Sequence, residues 1–482
     1  MKKTLCVLLL LALLVPSVLF AGSLDYLTNQ SARWLFSLSR NAATDAADIV
    51  NYNPAGTAFL PRGLSLDLSN QTLFKFYSNK DSKFTPGAIA GAGIFGADPF
   101  GGVVKKTLEP ELLTPAIPNL YGAYNFGDIG PGKLAIYLQA GIPAGGGDLA
   151  WGDGTAGSTF ALNALRASLW SLPAAQGGPV TTGALQSQEF NASSIYYGVG
   201  LGGAYSFLGD LMSLSLGARL VIPQRGFSLK ASYGPGYYLS GEYEYSALGV
   251  TPIVGVDLRP IDGLTIGLRY EMETDLEFKY NEKKLDGTLA TAGKSLLAKS
   301  GIVDGTKFNQ NLPHLIALGA EYQVNDSLGV SLSGTIYLLS LANLGKTFDS
   351  TGTKDGDIND YFDTGWEVAL GGSYKITEAI KVGLGVMYTE SGAKDKYFND
   401  SHTLLNASAS PPLDSISCGL GGSYAFKNGL DLILSFLYSH SLPVDYSVSQ
   451  YAPAPLNLEV YNVSGTLNKD VLEVGIGVGY KF

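Results

Sequence analysis

The C-terminal stretch VLEVGIGVGYKF, residues 471–482, alternates without a break: Leu472, Val474, Ile476, Val478, Tyr480 and Phe482 fall on one face, and Glu473, Gly475, Gly477, Gly479 and Lys481 on the other. Two is the repeat of an extended strand, whose successive side chains point to opposite faces. The same division recurs in Leu264, Ile266, Leu268 and Tyr270 against Thr265, Gly267, Arg269 and Glu271, and again in Ile380, Val382, Leu384, Val386 and Tyr388 against Lys381, Gly383, Gly385 and Met387. A chain patterned in this way folds as sheet, with one oily face and one made of glycine and charge. Such a face fits a transmembrane barrel whose lumen is polar, but a soluble sandwich alternates too, so the period alone leaves both open.

Composition narrows the field. Charged residues make up 15% and apolar residues 46% of 482, which argues against a disordered chain. A net charge of −10 leaves no basic surface for nucleic acid. The mean hydropathy of +0.14 is high, yet after residue 21 there is no apolar run of about 18 residues, so membrane-spanning helices are excluded. Lys2 and Lys3, the apolar run Leu5–Leu19 and the small residues Ala21, Gly22 and Ser23 have the layout of a secretory signal peptide, with cleavage expected after Ala21. Cys6 leaves with it. Cys418 alone remains, and no intramolecular disulfide is expected.

The spacing of turns decides more firmly. Short turn signals stand at 127–132, 209–210, 260–263, 325–326, 377–378 and 427–429, and between them lie longer connections near 79–114, 144–192, 233–242, 282–308, 346–362, 392–412 and 448–462. Six short and seven long connections give about 14 antiparallel strands, with both termini on the short-turn side, where the periplasm is expected. Tyr205, Tyr374 and Tyr424 each precede a short turn, echoed by Tyr124 and Tyr322, as in an interfacial aromatic girdle. A β-propeller would also repeat at such intervals, but each unit here holds two strands and a long loop instead of four short strands. The expected fold is therefore all-β: a transmembrane antiparallel barrel of about 14 strands.

Residues 22–62 do not fit the barrel pattern. LDYLTNQSARWLFSLSR has helical spacing and leads into Ala43-Thr44-Asp45-Ala46-Ala47 and Asn53-Pro54-Ala55-Gly56. With Ile117-Pro118-Asn119 opening the second strand, Asn311-Leu312-Pro313 opening the eighth and a terminal Phe482, the sequence resembles the FadL/TodX family of outer-membrane transporters for hydrophobic compounds, long-chain fatty acids and aromatic hydrocarbons. The resemblance divides the chain into a signal peptide (1–21), an N-terminal hatch inside the lumen (22–62) with Asn53, Pro54 and Ala55 as its motif, and a barrel (63–482) with long extracellular loops near 144–192 and 282–308.

It also implies a passive route for hydrophobic ligands that ends in a sideways exit at a kinked third strand. Gly141, Pro143 and Gly145 are the residues placed to make that kink, because proline removes a ladder donor and glycine permits a bulge; an ordinary strand end would look the same. Phe160, Leu165, Leu169, Trp170 and Leu296 lie in loop segments of helical character and are candidates for an outer capture groove, or else pack as a cap. Arg225, Lys230 and Lys346 are candidates to meet a ligand carboxylate. Expected partners are a hydrophobic small molecule, outer-membrane lipid and lipopolysaccharide, and the barrel-assembly machinery through Phe482, around a monomeric chain.

No catalytic residues, cofactor or metal are expected: His314, His402 and His440 are scattered without a nucleophile signature, and Asp349, Asp355, Asp357, Asp360 and Asp363 lack the spacing of a calcium loop. A non-specific porin and a surface adhesin are the competing functions.

Overall fold

The structure is a computed structural model; it describes residues 30–86, 106–110, 113–170, 185–299, 301–348, 354–451 and 459–482. The expected signal peptide lies outside the described residues.

Fourteen strands form a closed antiparallel barrel. They are β1 (Gly63–Pro86), β2 (Leu113–Ile129), β3 (Gly132–Trp151), β4 (Ser187–Phe207), β5 (Met212–Ser232), β6 (Tyr238–Ser246 and Gly249–Ile261) and β7 (Leu264–Glu271, continued by Glu277–Asp286). Then come β8 (Leu315–Gln323), β9 (Leu328–Tyr337), β10 (Gly365–Lys375), β11 (Ile380–Glu390), β12 (Ser415–Ala425), β13 (Leu430–Ser441, continued by Val444–Tyr451) and β14 (Glu459–Lys481). Each pairs with its sequence neighbour, and β1 closes on β14 from Ser65↔Lys481 to Pro86↔Tyr461. Closure pairs the first strand with the last, as a hydrocarbon surround requires. The six tight turns fall where the turn residues stand in sequence, for example around Leu208, Gly209 and Asp210, all at positive φ. They share one end of the barrel; the long connections share the other.

Alternation sorts the residues as lipid demands. Leu201 and Leu216 are each 68% exposed on the outer wall, with Leu384, Leu420 and Ile476 in the same position on other strands, while their sequence neighbours point inward. At the short-turn end, Tyr124, Tyr322, Tyr374 and Tyr424 form an exposed ring, and the pairs Tyr124–Phe126, Tyr424–Phe426 and Tyr480–Phe482 meet edge to face.

The N-terminal segment fills the lumen near the short turns. Ser31 caps the helix α1 (Ala32–Ser37) by accepting from the Trp34 amide at 3.1 Å, and Leu38 ends it at φ 55. Helical spacing suggested more; within the described residues the segment makes only this one turn and a half before two 3-10 turns, Ala47–Asn51 and Pro54–Phe59. The inward glycines give it room. A methyl group added at Gly419 would fall on the Leu35 carbonyl oxygen, and one at Gly385 on that of Ser37. The glycine face of the strands is thus a socket for the backbone of the plug.

At the other end the long connections carry helices α2 (Ala156–Trp170), α3 (Ala290–Lys299), α4 (Asp395–Phe398) and α5 (Leu404–Ala409). These pack into a lid. Phe160 lies edge-on to Tyr461 with ring centroids 5.2 Å apart, in a cluster with Phe362, Tyr397 and Leu404.

Candidate functional site

Two features of the lumen stand out: how the plug is fixed, and where the wall fails. The plug is held by polar bonds to the wall. Asn53 accepts from the Ala55 amide at 3.3 Å and donates through Nδ2 to the Val256 carbonyl at 3.0 Å and to Asp257 Oδ1 at 2.7 Å. Pro54 occupies the first helical position, where its missing N–H costs nothing. The Ala55 carbonyl accepts from Ser213 Oγ at 2.8 Å, and Asn125 Nδ2 donates to the carbonyls of Ala58 and Leu60 at 2.9 Å. The Asn-Pro-Ala element is therefore bolted to β2, β5 and β6. On the far side Arg33 bridges Asp67 of β1 and Asp431 of β13, each at 3.0 Å. Arg40 pairs with Asp45 at 2.8 Å, and Lys381 reaches Asp45 at 3.3 Å.

The wall fails between β2 and β3. Their ladder runs from Ile129↔Gly132 to Asn119↔Gly141 and stops, although β3 continues to Trp151. Beyond Gly141, β3 is paired only with β4, and that ladder is irregular on both sides of Ala144. The chemistry explains the stop: Pro115 and Pro118 on β2 and Pro143 on β3 carry no N–H, so both edges of the break lack donors. Gly145 at φ 100 and Gly147 at φ 71 let the strand fold inward. The inward fold is fastened by Lys75, a buried lysine on β1 whose ammonium donates to the carbonyls of Gly146 and Asp148, the latter at 2.9 Å. Asn119 Oδ1 accepts from the Ile142 amide at 3.1 Å. Pro143 and Ala144 face a small lumenal cavity of 20 Å³, about the room one water needs, shared with Arg219 and Glu271, which pair at the same level.

Above the break, Trp151, Phe190, Phe227, Tyr245, Phe278 and Tyr280 pack into an aromatic core inside the barrel. Across the lumen, against β9–β14, lies a larger cavity of 230 Å³. Trp34 and Gln30 of the plug form part of its floor, and Leu437, Met387, Ser417, Ser439, Lys469 and Glu473 line its walls.

The other candidate residues separate. Arg225 points into the lumen, is buried, donates to Gln310 and lies 5.3 Å from the Tyr245 ring and 5.7 Å from the Phe278 ring. Lys230 does not join it. It faces outward and pairs with Glu189 at 3.0 Å, with 56% of its side chain exposed. Lys346 pairs with Asp357 in a hairpin of the long-loop end. Neither meets the lumen, and each already has a carboxylate. Phe160 and Leu165 are buried inside the lid, Leu165 among Leu162, Tyr233, Leu239 and Leu289. They form packing instead of an open groove. The side chains of Leu169, Trp170 and Leu296 lie outside the described residues. In the acidic stretch Asp355 meets His402, and Asp363 meets Lys394 at 3.1 Å; Asp349 lies outside the described residues.

Sequence reasoning missed Lys75 and Glu473. Pro115 and Pro118, the matching half of the break, were visible as donors missing from β2.

Residues 243–482 match the family model of the outer membrane protein transport proteins (OMPP1/FadL/TodX). The chain belongs to that family. Solved structures share the overall fold. The crystal structure of a Pseudomonas aeruginosa FadL homologue superposes with a TM-score of 0.65 at 15% identity, over 96% of this chain and 100% of that one. The P. putida toluene transporter TodX gives a TM-score of 0.53 at 11% identity, over 92% and 96%. At such identities the likeness to these two speaks to the fold. No curated protein matches the sequence.

Proposed function

We propose that this protein lets hydrophobic compounds pass passively across the outer membrane of a Gram-negative cell, and that they leave the barrel sideways between β2 and β3. In this reading the short-turn end and both termini face the periplasm, and the lid faces outside. A ligand enters through the lid, crosses the aromatic core around Trp151 and Phe190, and meets the plug. Straight passage is blocked, and an apolar molecule gains nothing from an aqueous route, because leaving water is what drives it. The break beyond Asn119↔Gly141 offers hydrocarbon instead.

That break, lying above a lumen sealed by its own N-terminal segment, is the observation that carries the proposal. Family membership and the toluene transporters among the structural relatives favour the same ligand class. Outer-membrane lipid would receive the cargo, and Phe482 would be read by the barrel-assembly machinery. The test is flux of a neutral hydrocarbon into proteoliposomes, measured with steady ion conductance in planar bilayers. Saturable hydrocarbon flux without steady conductance is expected; the reverse pattern would make the protein a polar-solute porin.

A further inference from the structure

The 230 Å³ cavity against β9–β14 is not part of the aromatic core beside the break, and its chemistry is different. It has an apolar floor and wall, made by Trp34, Met387 and Leu437, and a hydroxyl wall, where Ser417 Oγ donates to Ser439 Oγ at 3.0 Å. Glu473 stands at the deep end, one inward position from Gly475, whose added methyl would meet the Leu35 side chain of the plug. One oxygen of its carboxyl is sealed from solvent, and it has neither a hydrogen-bond partner nor a cation among the described residues.

The cation in the same cavity turns elsewhere. Lys469 is four residues up the same strand, its backbone about 13 Å from that of Glu473 at 3.3 Å per residue, and its ammonium lies 5.5 Å from the Tyr77 ring. Glu367, also in the lining, is already served by the hydroxyls of Thr335 and Tyr337. A buried carboxyl oxygen without a partner costs free energy until a donor or a positive charge reaches the group. An ammonium group provides three donors and the charge, and a hydroxyl provides one donor. A carboxylate would bring like charges together.

We infer that this cavity is a selectivity site for apolar molecules that end in a hydrogen-bond donor, amines foremost and alcohols next, with Glu473 as the receiving group and Trp34, Met387 and Leu437 holding the hydrocarbon. The inference rests on the lumen being a ligand path and names the cargo that path prefers. It runs against a fatty-acid carboxylate as the preferred cargo. The charges inside the lumen agree: Arg225, the one sequence candidate for a carboxylate that does face inward, is occupied by Gln310 and two rings.

The test uses the purified full chain in detergent and three single-ring probes of matched size: benzylamine, benzyl alcohol and benzoate. Affinity is read by quenching of tryptophan fluorescence, with Trp34→Phe identifying the part of the signal that comes from the cavity. At pH 7 benzylamine is expected to bind at least tenfold tighter than benzoate. Glu473→Gln should abolish that preference while benzyl alcohol still binds. Because altering Glu473 could disturb plug docking, Ser417→Val with Ser439→Val probes the opposite wall; it should weaken benzyl alcohol at least threefold.

Benzoate binding as tightly as benzylamine to the unaltered protein would overturn the inference. So would a tenfold amine preference that survives Glu473→Gln. Hydrocarbon flux through the unaltered protein is measured alongside: flux without amine preference sinks this inference alone, and absence of flux sinks the transport function beneath it.

Discussion

Lys75 Nζ stands 2.9 Å from the carbonyl oxygen of Asp148, and it donates to the carbonyl of Gly146 as well. These two carbonyls belong to the stretch of β3 that has lost its partner β2. A side chain from β1 thus does in part what the missing ladder would have done, and it holds the strand in its inward path.

Replacing Lys75 with Met should therefore loosen the kink without opening the rest of the barrel. Two carbonyls, one on half-buried Gly146 and one on exposed Asp148, lose a charged donor, a cost of about 1–3 kcal/mol. Amide hydrogen exchange at residues 145–149 should accelerate at least tenfold, with β10–β12 unchanged. Equal exchange in both proteins would show that Lys75 does not hold the kink.

Asn53→Ala removes the 3-10 cap and both donations of the amide, leaving Asp257 Oδ1 without its donor. A loss of about 2–4 kcal/mol in plug docking is expected. In planar bilayers the variant should show bursts of ion conductance that the unaltered protein lacks, while its barrel remains resistant to cold detergent.

The glycine socket gives a sharper steric test. Gly419→Leu places a side chain where the Leu35 carbonyl lies, so the plug cannot seat, whereas Leu420→Ala on the outer face alters only lipid contact. Steady conductance is expected from the first and not from the second. A silent Gly419→Leu barrel would mean that the plug tolerates a much wider socket wall than the contacts allow.

In the lid, His402 Nδ1 lies 2.6 Å from Asp400 Oδ1 and Nε2 lies 3.4 Å from Asp355 Oδ2, joining two long connections. Tyr361 donates to the other oxygen of Asp400 at 2.8 Å. Burial would lower the imidazole pKa, but the hydrogen bond and charge of Asp400, with Asp355, hold it above its ordinary value. A raised folded pKa stabilises the lid fully below the unfolded value of about 6.5, and the gain disappears as pH rises through the folded value. Proteolysis within residues 391–413 should thus be slower at pH 6 than at pH 9, and Asp400→Asn should erase the difference.

The outer wall was legible in the sequence because a strand in lipid must repeat with period two, and the turn residues at 208–211 or 426–429 mark where it reverses. The glycines at 383, 385, 475 and 477 could be assigned to the lumen by the same parity. That they form a socket could not be read, since the opposing backbone at Leu35 and Ser37 is several hundred residues away. Parity also carried information that went unused: Arg225 and Lys230 are five apart on one strand, so they cannot share a face. The kink was readable on β3 from Pro143 and its glycines, and half-readable on β2 from Pro115 and Pro118. Its fastening by Lys75 was not, because nothing local distinguishes one inward lysine from another. Glu473 sits in the very stretch that showed the alternation most clearly, yet its cavity exists only where six strands and the plug converge.

A disulfide across the break tests the central claim most directly. Thr114 Oγ1 lies 3.1 Å from where a Cβ on Gly147 would stand, which is within reach of a bridge. Thr114→Cys with Gly147→Cys, made in a Cys418→Ser background, can be oxidised to sew β2 to β3 and reduced to release them. Hydrocarbon flux into proteoliposomes should fall at least tenfold on oxidation and return on reduction. Flux that stays constant through the cycle, with the bridge confirmed by mass spectrometry, would contradict a sideways exit.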